Sequence, residues 1–256
     1  MVICDDLKLA FIEIPNTGCT AVRKTLVENY GGRGILHKHA IYYELRRELG
    51  SRINDFQVFA TVRSPLDTIL TQFRKLETQH KERFTEPERR QHWSLTSRHW
   101  KMHRDVEDGM SFSDFLTKYF ARIYHNYYLV GTQHASQVMR YSSLQDDFRS
   151  VLQMAGVTEP VEIAVANQTS GKPKIESAYG PSIRDHVVRV FGPFMHQWGL
   201  EFPGSWNVAD VPSSSMTRYR YTEKVVDSIC RYGGLSPNGS PRWIQRAREV
   251  SRRVTG

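Results

Sequence analysis

The sequence predicts an α/β fold, a central parallel sheet flanked by helices, on three observations. Residues 7 to 14, LKLAFIEI, are a nearly unbroken apolar run, the pattern of a strand covered on both faces, and they pass through a loop of small residues into a helical pattern. Residues 56 to 62, FQVFATV, repeat that order, with a helix starting at once behind them. A helical segment near 40 to 49 separates the two units, as the crossover between parallel strands requires.

The elements follow in order. Ala21, Val22, Leu26, Val27 and Tyr30 are placed on one face of a helix that starts at Thr20, and Gly31-Gly32 stops it. After the second strand, Ser64 suits an N-cap, Pro65 the first helical position and Asp67 the third, where a carboxylate favours the free amides. Leu66, Ile69, Leu70, Phe73 and Leu76 form the buried face of that helix. Residues 77 to 108 are crowded with Arg, Lys, Glu and His, with Trp93 and Trp100 one helical face apart, and read as polar helices or a lid rather than core. Ser111 and Asp114 cap a helix carrying Phe112, Phe115, Leu116, Tyr119 and Phe120. A short strand, QVMRY (137 to 141), precedes a helix from Leu144 to Ala155, which Gly156 ends. Residues 166 to 180 read as loop, and a last core helix runs from Ser182 to Trp198 with a bend at Gly192-Pro193. Pro203 to Thr217 reads as a linker, and Ser240-Pro241 as the start of a basic terminal helix.

At 256 residues, 39% hydrophobic and 24% charged, the chain suits one large globular domain. Its first residues lack the basic and apolar stretches of a secretory signal, and no run approaches the roughly eighteen apolar residues of a membrane span, so a cytoplasmic protein is expected. Cys4, Cys19 and Cys230 lie far apart, which suggests neither a disulfide framework nor a zinc cluster. The net charge of +8 is uneven: after Pro203, nine Lys/Arg stand against four Asp/Glu. That excess suits a polyanionic ligand or a solvated tail helix. No RNA- or DNA-binding motif accompanies it, so nucleic acid is not the expected partner.

The loop Pro15-Asn16-Thr17-Gly18-Cys19-Thr20 carries the chemistry. A strand that runs through small residues into a helix aims successive backbone amides outward, and those amides with the helix dipole make an anion site suited to phosphate. Gly18 lets the backbone approach closely, and Thr17 and Thr20 add hydroxyls. The nucleotide-binding GxxxxGK[ST] spacing is absent. Arg63 stands at the carboxyl end of the second strand, where open α/β sheets place their ligands, and Thr71 follows about two turns along the next helix. One guanidinium and one hydroxyl there could hold a second phosphate.

Together the two units resemble the PAPS-dependent sulfotransferases, specifically the carbohydrate sulfotransferase-like branch (PAPS is 3′-phosphoadenosine-5′-phosphosulfate). "HKHAIYYELRREL" is similar to the family segment between the two motifs, "RYSSLQDDF" to its later strand-helix junction and "FMHQWGLEF" to its closing stretch, so the likeness covers roughly residues 7 to 202. The resemblance implies a P-loop-like, three-layer fold and a sulfotransferase domain over 1–203. Within it, 77–110 would be a lid or acceptor region, and 204–256 would follow as a basic C-terminal extension. It also implies that Asn16, Thr17, Gly18, Cys19, Thr20 and Ala21 bind the 5′-phosphosulfate, that Arg63 and Thr71 bind the 3′-phosphate, and that Lys172 lies on a basic loop over the donor. PAPS, with PAP as product, is the implied cofactor, and no metal is required. A sugar or small metabolite is the implied acceptor.

The family's loop lysine is Asn16 here, which can donate a hydrogen bond but supplies no charge. Arg23, Lys38, Lys172 and Lys174 are the candidates to replace it. Transfer of a sulfuryl group also needs a base beside the acceptor hydroxyl. In the relatives that sulfate a 2-hydroxyl, a histidine of a closely spaced pair has that role, and His37-Lys38-His39 matches it. His39 is the first choice for the base and His37 the second, imidazole having the fitting unperturbed pKa. The alternative expectation is a PAP- or PAPS-binding module that has lost turnover with the lysine.

Overall fold

The computed structural model describes residues 1–79, 84, 97–164 and 173–232. Val2–Cys4 (β1), Leu9–Ile12 (β2), Arg33–Gly34 (β3), Gln57–Val62 (β4) and Gln137–Arg140 (β5) build one five-stranded sheet in the order β3-β1-β2-β4-β5. Every residue of β2 is buried, as is β4 after its first, which is what their apolar runs require. β2 pairs with β4 and β4 with β5 in parallel, in a register that sets Ile12 opposite Ala60 and Val62 opposite Arg140. The carboxyl ends of these three strands therefore share one edge of the sheet.

β1 runs antiparallel to both β2 and β3, so the sheet is mixed and the expectation of a parallel sheet holds only for β2, β4 and β5. Three residues are too few to show a strand period. Val2–Cys4 becomes a strand because the chain reverses through Asp5–Lys8 and lays it on β2.

Two compact units share the chain. Among the described residues, one comprises 1–63, 125–164 and 220–232, and the other 64–124 and 173–219. In the first unit, helix α1 (Cys19–Asn29) buries Cys19, Val22, Thr25 and Leu26 with Phe11, Phe59 and Met139 of the sheet. Val27, expected on that face, is 44% exposed, because five residues beyond Val22 is about 140° around the helix. α1 ends at Gly31, whose φ of 63° reverses the chain, and Gly32 N–H donates to Leu26 O at 2.9 Å. Helix α2 (Tyr42–Leu49) fills the crossover between β3 and β4.

The second unit opens with α3 (Pro65–Glu77), with Pro65 at its first position and Asp67 in its first turn. Ser64 is its N-cap residue, but its side chain makes no cap bond. Leu66, Ile69, Leu70, Phe73 and Leu76 are buried as their spacing predicts. They pack with Phe84, with Met102 and Val106 of α4 (Ser97–Glu107), and with Phe115 and Leu116 of α5 (Phe112–Tyr119), which Ser111 caps. The described part of 77 to 108 is thus partly core, because its few apolar residues recur at helical spacing within a charged background. Trp93 lies outside the described residues.

In the first unit again, α6 (Leu144–Met154) follows β5. In the second, Ile175–Ala178 (α7) is a single turn inside the segment read as loop, and Tyr179 behind it is fully buried, its hydroxyl donating to Leu66 O at 2.7 Å. The core helix α8 (Arg184–Gln197) carries Pro193 in its interior.

The linker expected from 203 to 217 is corrected. Trp206 is buried against Tyr179 and stacked on Phe202, and helix α9 (Ser213–Tyr232) begins at Ser213. Pro and Ser mark a loop locally, whereas the burial of one Trp is decided by distant residues. In the first unit, α9 buries Val226 and Cys230, and Tyr43 O–H donates to Asp227 at 2.6 Å. The terminal helix expected from Ser240 lies outside the described residues. No helix among the described residues is long and apolar enough to cross a membrane.

Candidate active site

The loop behind β2 is built by its own small residues. Ile14 N–H turns back onto Ile12 O at 3.0 Å, and the buried Thr17 hydroxyl donates to Ile14 O at 2.8 Å. Asn16 and Gly18 take the left-handed conformation at φ 64° and 79°. At Gly18 the left-handed backbone strains any side chain, and a Cβ there would stand 2.7 Å from Leu144 Cδ2 and 3.3 Å from Tyr141 Cε2, so those side chains would have to shift. The first bonds of α1 run from Ala21 and Val22 N–H to Gly18 O, at 2.9 and 3.2 Å. The amides of Gly18, Cys19 and Thr20 stand ahead of those bonds, at the positive end of the helix dipole.

The predicted loop residues therefore differ in what they offer. Gly18, Cys19 and Thr20 offer amides. Thr17 spends its hydroxyl proton on the loop itself, and Ala21 its N–H on the helix. The Cys19 side chain belongs to the core under α1, where burial pushes its thiol pKa up. Thr20 is exposed, and its Oγ1 accepts from Lys38 Nζ at 3.2 Å.

Arg63 follows β4 as β2 is followed by the loop, so the parallel pairing sets them side by side. Its guanidinium donates to Asn16 O at 2.8 Å and lies over the Tyr141 ring, 4.2 Å from the centroid. Tyr141 itself directly follows β5. Three strand ends thus converge on the loop.

The histidine turn comes next. Ala40 N–H donates to His37 O at 3.3 Å, closing a four-residue turn whose third member, His39, has φ 67°. His39 is half-buried, and its Nδ1 lies 2.6 Å from Glu13 O. A carbonyl only accepts, so Nδ1 carries the proton and the Nε2 lone pair is the basic one. Burial lowers the His39 pKa, opposed by the Glu13 carbonyl and helped by Lys38, which favours the neutral ring.

His37 is held the other way. Its Nε2 meets the buried Glu44 carboxylate at 2.9 Å and its Nδ1 meets Lys38 O at 3.0 Å. Both nitrogens face acceptors, and the Glu44 bond above all raises the His37 pKa. Two facing acceptors favour the protonated ring, which in that form has no lone pair for a substrate proton.

Glu13 supports both parts. Its carboxylate is fully buried and takes the Met1 ammonium at 2.7 Å and Arg23 at 2.8 Å. Burial resists its ionisation, but the ammonium and Arg23 outweigh that and hold its pKa below the usual range. Glu13, Glu44 and Tyr141 are site residues that sequence reasoning missed. Glu13 had one visible signal, as the lone carboxylate in LKLAFIEI.

The first unit thus brings together the loop 16 to 21, Arg63, His37 and His39. Thr71 belongs to the second unit, where its hydroxyl donates to Asp67 O at 2.7 Å. Lys172 lies outside the described residues. A family model described as "Sulfotransferase family" matches residues 1–191. No curated protein and no solved structure matches the chain.

Proposed function

The chain belongs to the sulfotransferase family, and from that premise we propose that it moves a sulfuryl group from PAPS to a hydroxyl (or amine) of a sugar or small metabolite. The observation that carries this reading is His39, its Nδ1–H fixed on Glu13 O at 2.6 Å and its Nε2 left as base, on a turn tied to an anion-binding loop. The donor set fits a phosphosulfate: amides at a helix N-terminus, a neighbouring ammonium and a guanidinium, with no carboxylate on the loop from Pro15 to Thr20.

In the reaction the acceptor oxygen bonds to sulfur, the bond from sulfur to the bridging phosphate oxygen breaks, and the electron pair stays on that phosphate. His39 Nε2 takes the acceptor proton. Gly18, Cys19 and Thr20 present amides to the anion, and Arg63 holds the loop by its grip on Asn16 O. Glu13 keeps His39 in the productive tautomer through its carbonyl.

His39→Asn tests the base, because Asn tolerates the left-handed backbone that His39 occupies. The variant is expected to lose about 10²- to 10⁴-fold in turnover with labelled PAPS and a panel of acceptors, while PAP affinity by calorimetry changes little. Turnover at the wild-type rate would remove His39 from the reaction. A second reading, a PAP-binding module without turnover, is favoured by the absence of a lysine at Asn16. It predicts tight PAP binding with no sulfated product from any acceptor.

A further inference from the structure

Sulfuryl transfer puts new negative charge on the departing phosphate oxygen, and a cation beside that oxygen helps because its bond strengthens as the charge develops. The loop from Ile14 to Thr20 contains no Lys or Arg. Arg23, on α1, sets its guanidinium on the buried Glu13 carboxylate at 2.8 Å, so it is already held on a fixed anion, which it shares with the Met1 ammonium. Arg63 is turned to Asn16 O and the Tyr141 ring. Lys38 is placed differently. It is exposed, and its ammonium rests 3.2 Å from a neutral hydroxyl, Thr20 Oγ1, in the first turn of α1.

The turn that carries Lys38 is fixed by bonds of several kinds. The Met1 ammonium donates to His37 O at 3.2 Å, His37 Nε2 meets Glu44 at 2.9 Å and His39 Nδ1 donates to Glu13 O at 2.6 Å. A flexible stem thus leaves a rigid base beside the outward amides of the loop.

We infer that Lys38 is the catalytic cation of this site, its ammonium passing from the Thr20 hydroxyl to the phosphate oxygen that gains charge as sulfur departs. The inference rests on the sulfuryl-transfer reading above. Lys38 keeps its proton throughout, and the acceptor proton goes to His39 Nε2. Cation and base then sit on adjacent residues of one turn, so its placement sets both at once. Thr20 serves as the resting partner that holds the ammonium toward the loop.

The test compares wild type with Lys38→Met, Lys38→Arg and the double variant Asn16→Lys/Lys38→Met, each first shown to be folded by circular dichroism. PAP affinity is read by calorimetry, and transfer from PAPS by single turnover. Lys38→Met is expected to slow transfer about 10²- to 10³-fold and to weaken PAP binding. Lys38→Arg should keep most of both, and the double variant should recover at least about tenfold of the lost rate, because it returns an ammonium to the same anion site. Wild-type rate and PAP affinity in Lys38→Met would overturn the inference. So would a loss in Lys38→Arg as large as that in Lys38→Met, or a double variant no faster than the single one. If wild type itself binds no PAP, the sulfuryl-transfer reading fails and the inference with it. If wild type binds and transfers while Lys38→Met is unaffected, only the role of Lys38 fails.

Discussion

His37 and His39 stand two residues apart, yet their surroundings push their protons in opposite directions. The groups facing His39 are the Glu13 carbonyl and carboxylate, Lys38, the Met1 ammonium and the Tyr128 ring. Burial is the largest influence, and its pKa falls below the ordinary 6.5. The unfolded chain therefore binds this proton more readily than the folded one. The stability due to neutral His39 is complete above 6.5 and is lost as pH falls toward the folded value. His37, raised by Glu44, contributes stability that is complete below 6.5 and is lost as pH rises through its folded pKa. The acid limb of kcat/KM is expected to report His39 and to lie below 6.5. Proton NMR titration, with resonances assigned by substitution, should place His39 below that value and His37 above it. Two resonances titrating together at 6.5 would contradict the assignment.

At the scale of the element, α2 does more than cross from β3 to β4. Glu44, in its first turn, accepts from Ile41 N–H at 2.8 Å through Oε2, while Oε1 holds His37 at 2.9 Å. One buried carboxylate thereby satisfies an orphan amide of the helix and anchors the turn that carries Lys38 and His39. Glu44→Ala leaves both partners unpaired and is expected to cost about 1 to 3 kcal/mol in denaturant unfolding. Turnover should fall as well, because the turn is released. Glu44→Gln keeps an acceptor and should recover much of the stability at alkaline pH, where His37 is neutral, but less at acid pH, where an imidazolium has lost its counter-charge. Equal recovery at both ends of the pH range would show that the charge of Glu44 does not matter.

For the whole molecule, the family match ends at residue 191 while buried residues continue to Cys230. In the second unit, Trp206 packs on Tyr179 and Phe202, with the Arg184 guanidinium over its ring. In the first, Arg47 donates to Cys230 O at 2.8 Å, and Arg231 pairs with Asp227 beside Tyr43. A chain ending at Gly204 loses Trp206 and α9 together. Removing a buried Trp side chain alone costs about 3 to 5 kcal/mol, a large share of a typical folding free energy. The shortened chain is expected to unfold at clearly lower denaturant concentration than the full chain, or to be recovered unfolded. An unchanged unfolding midpoint would show that residues after 204 are a detachable extension.

The parts legible in the sequence were those governed by neighbours along the chain. The apolar runs at 9–12 and 57–62, the glycine at 18, the Ser64-Pro65 helix start and the face Leu66 to Leu76 each follow from local period or backbone conformation, and all stand where the residues put them. His39 could be named as a candidate through the family resemblance, and Lys38 as one of four cations able to replace the absent loop lysine. The proton positions of the two imidazoles are not legible in the sequence. Where each imidazole keeps its proton depends on which atom faces each nitrogen, and those atoms come from Glu13, 26 residues away, and Glu44. β1 was invisible for the same reason, since three residues become a strand only when β2 accepts their hydrogen bonds. Trp206 and the start of α9 read as linker because Pro and Ser signal loops locally, while burial is set by residues distant in sequence. Periodicity and turn chemistry are short-range and are written in order along the chain. Proton location, strand pairing and burial are sums over neighbours in space, and only the folded chain brings those neighbours together.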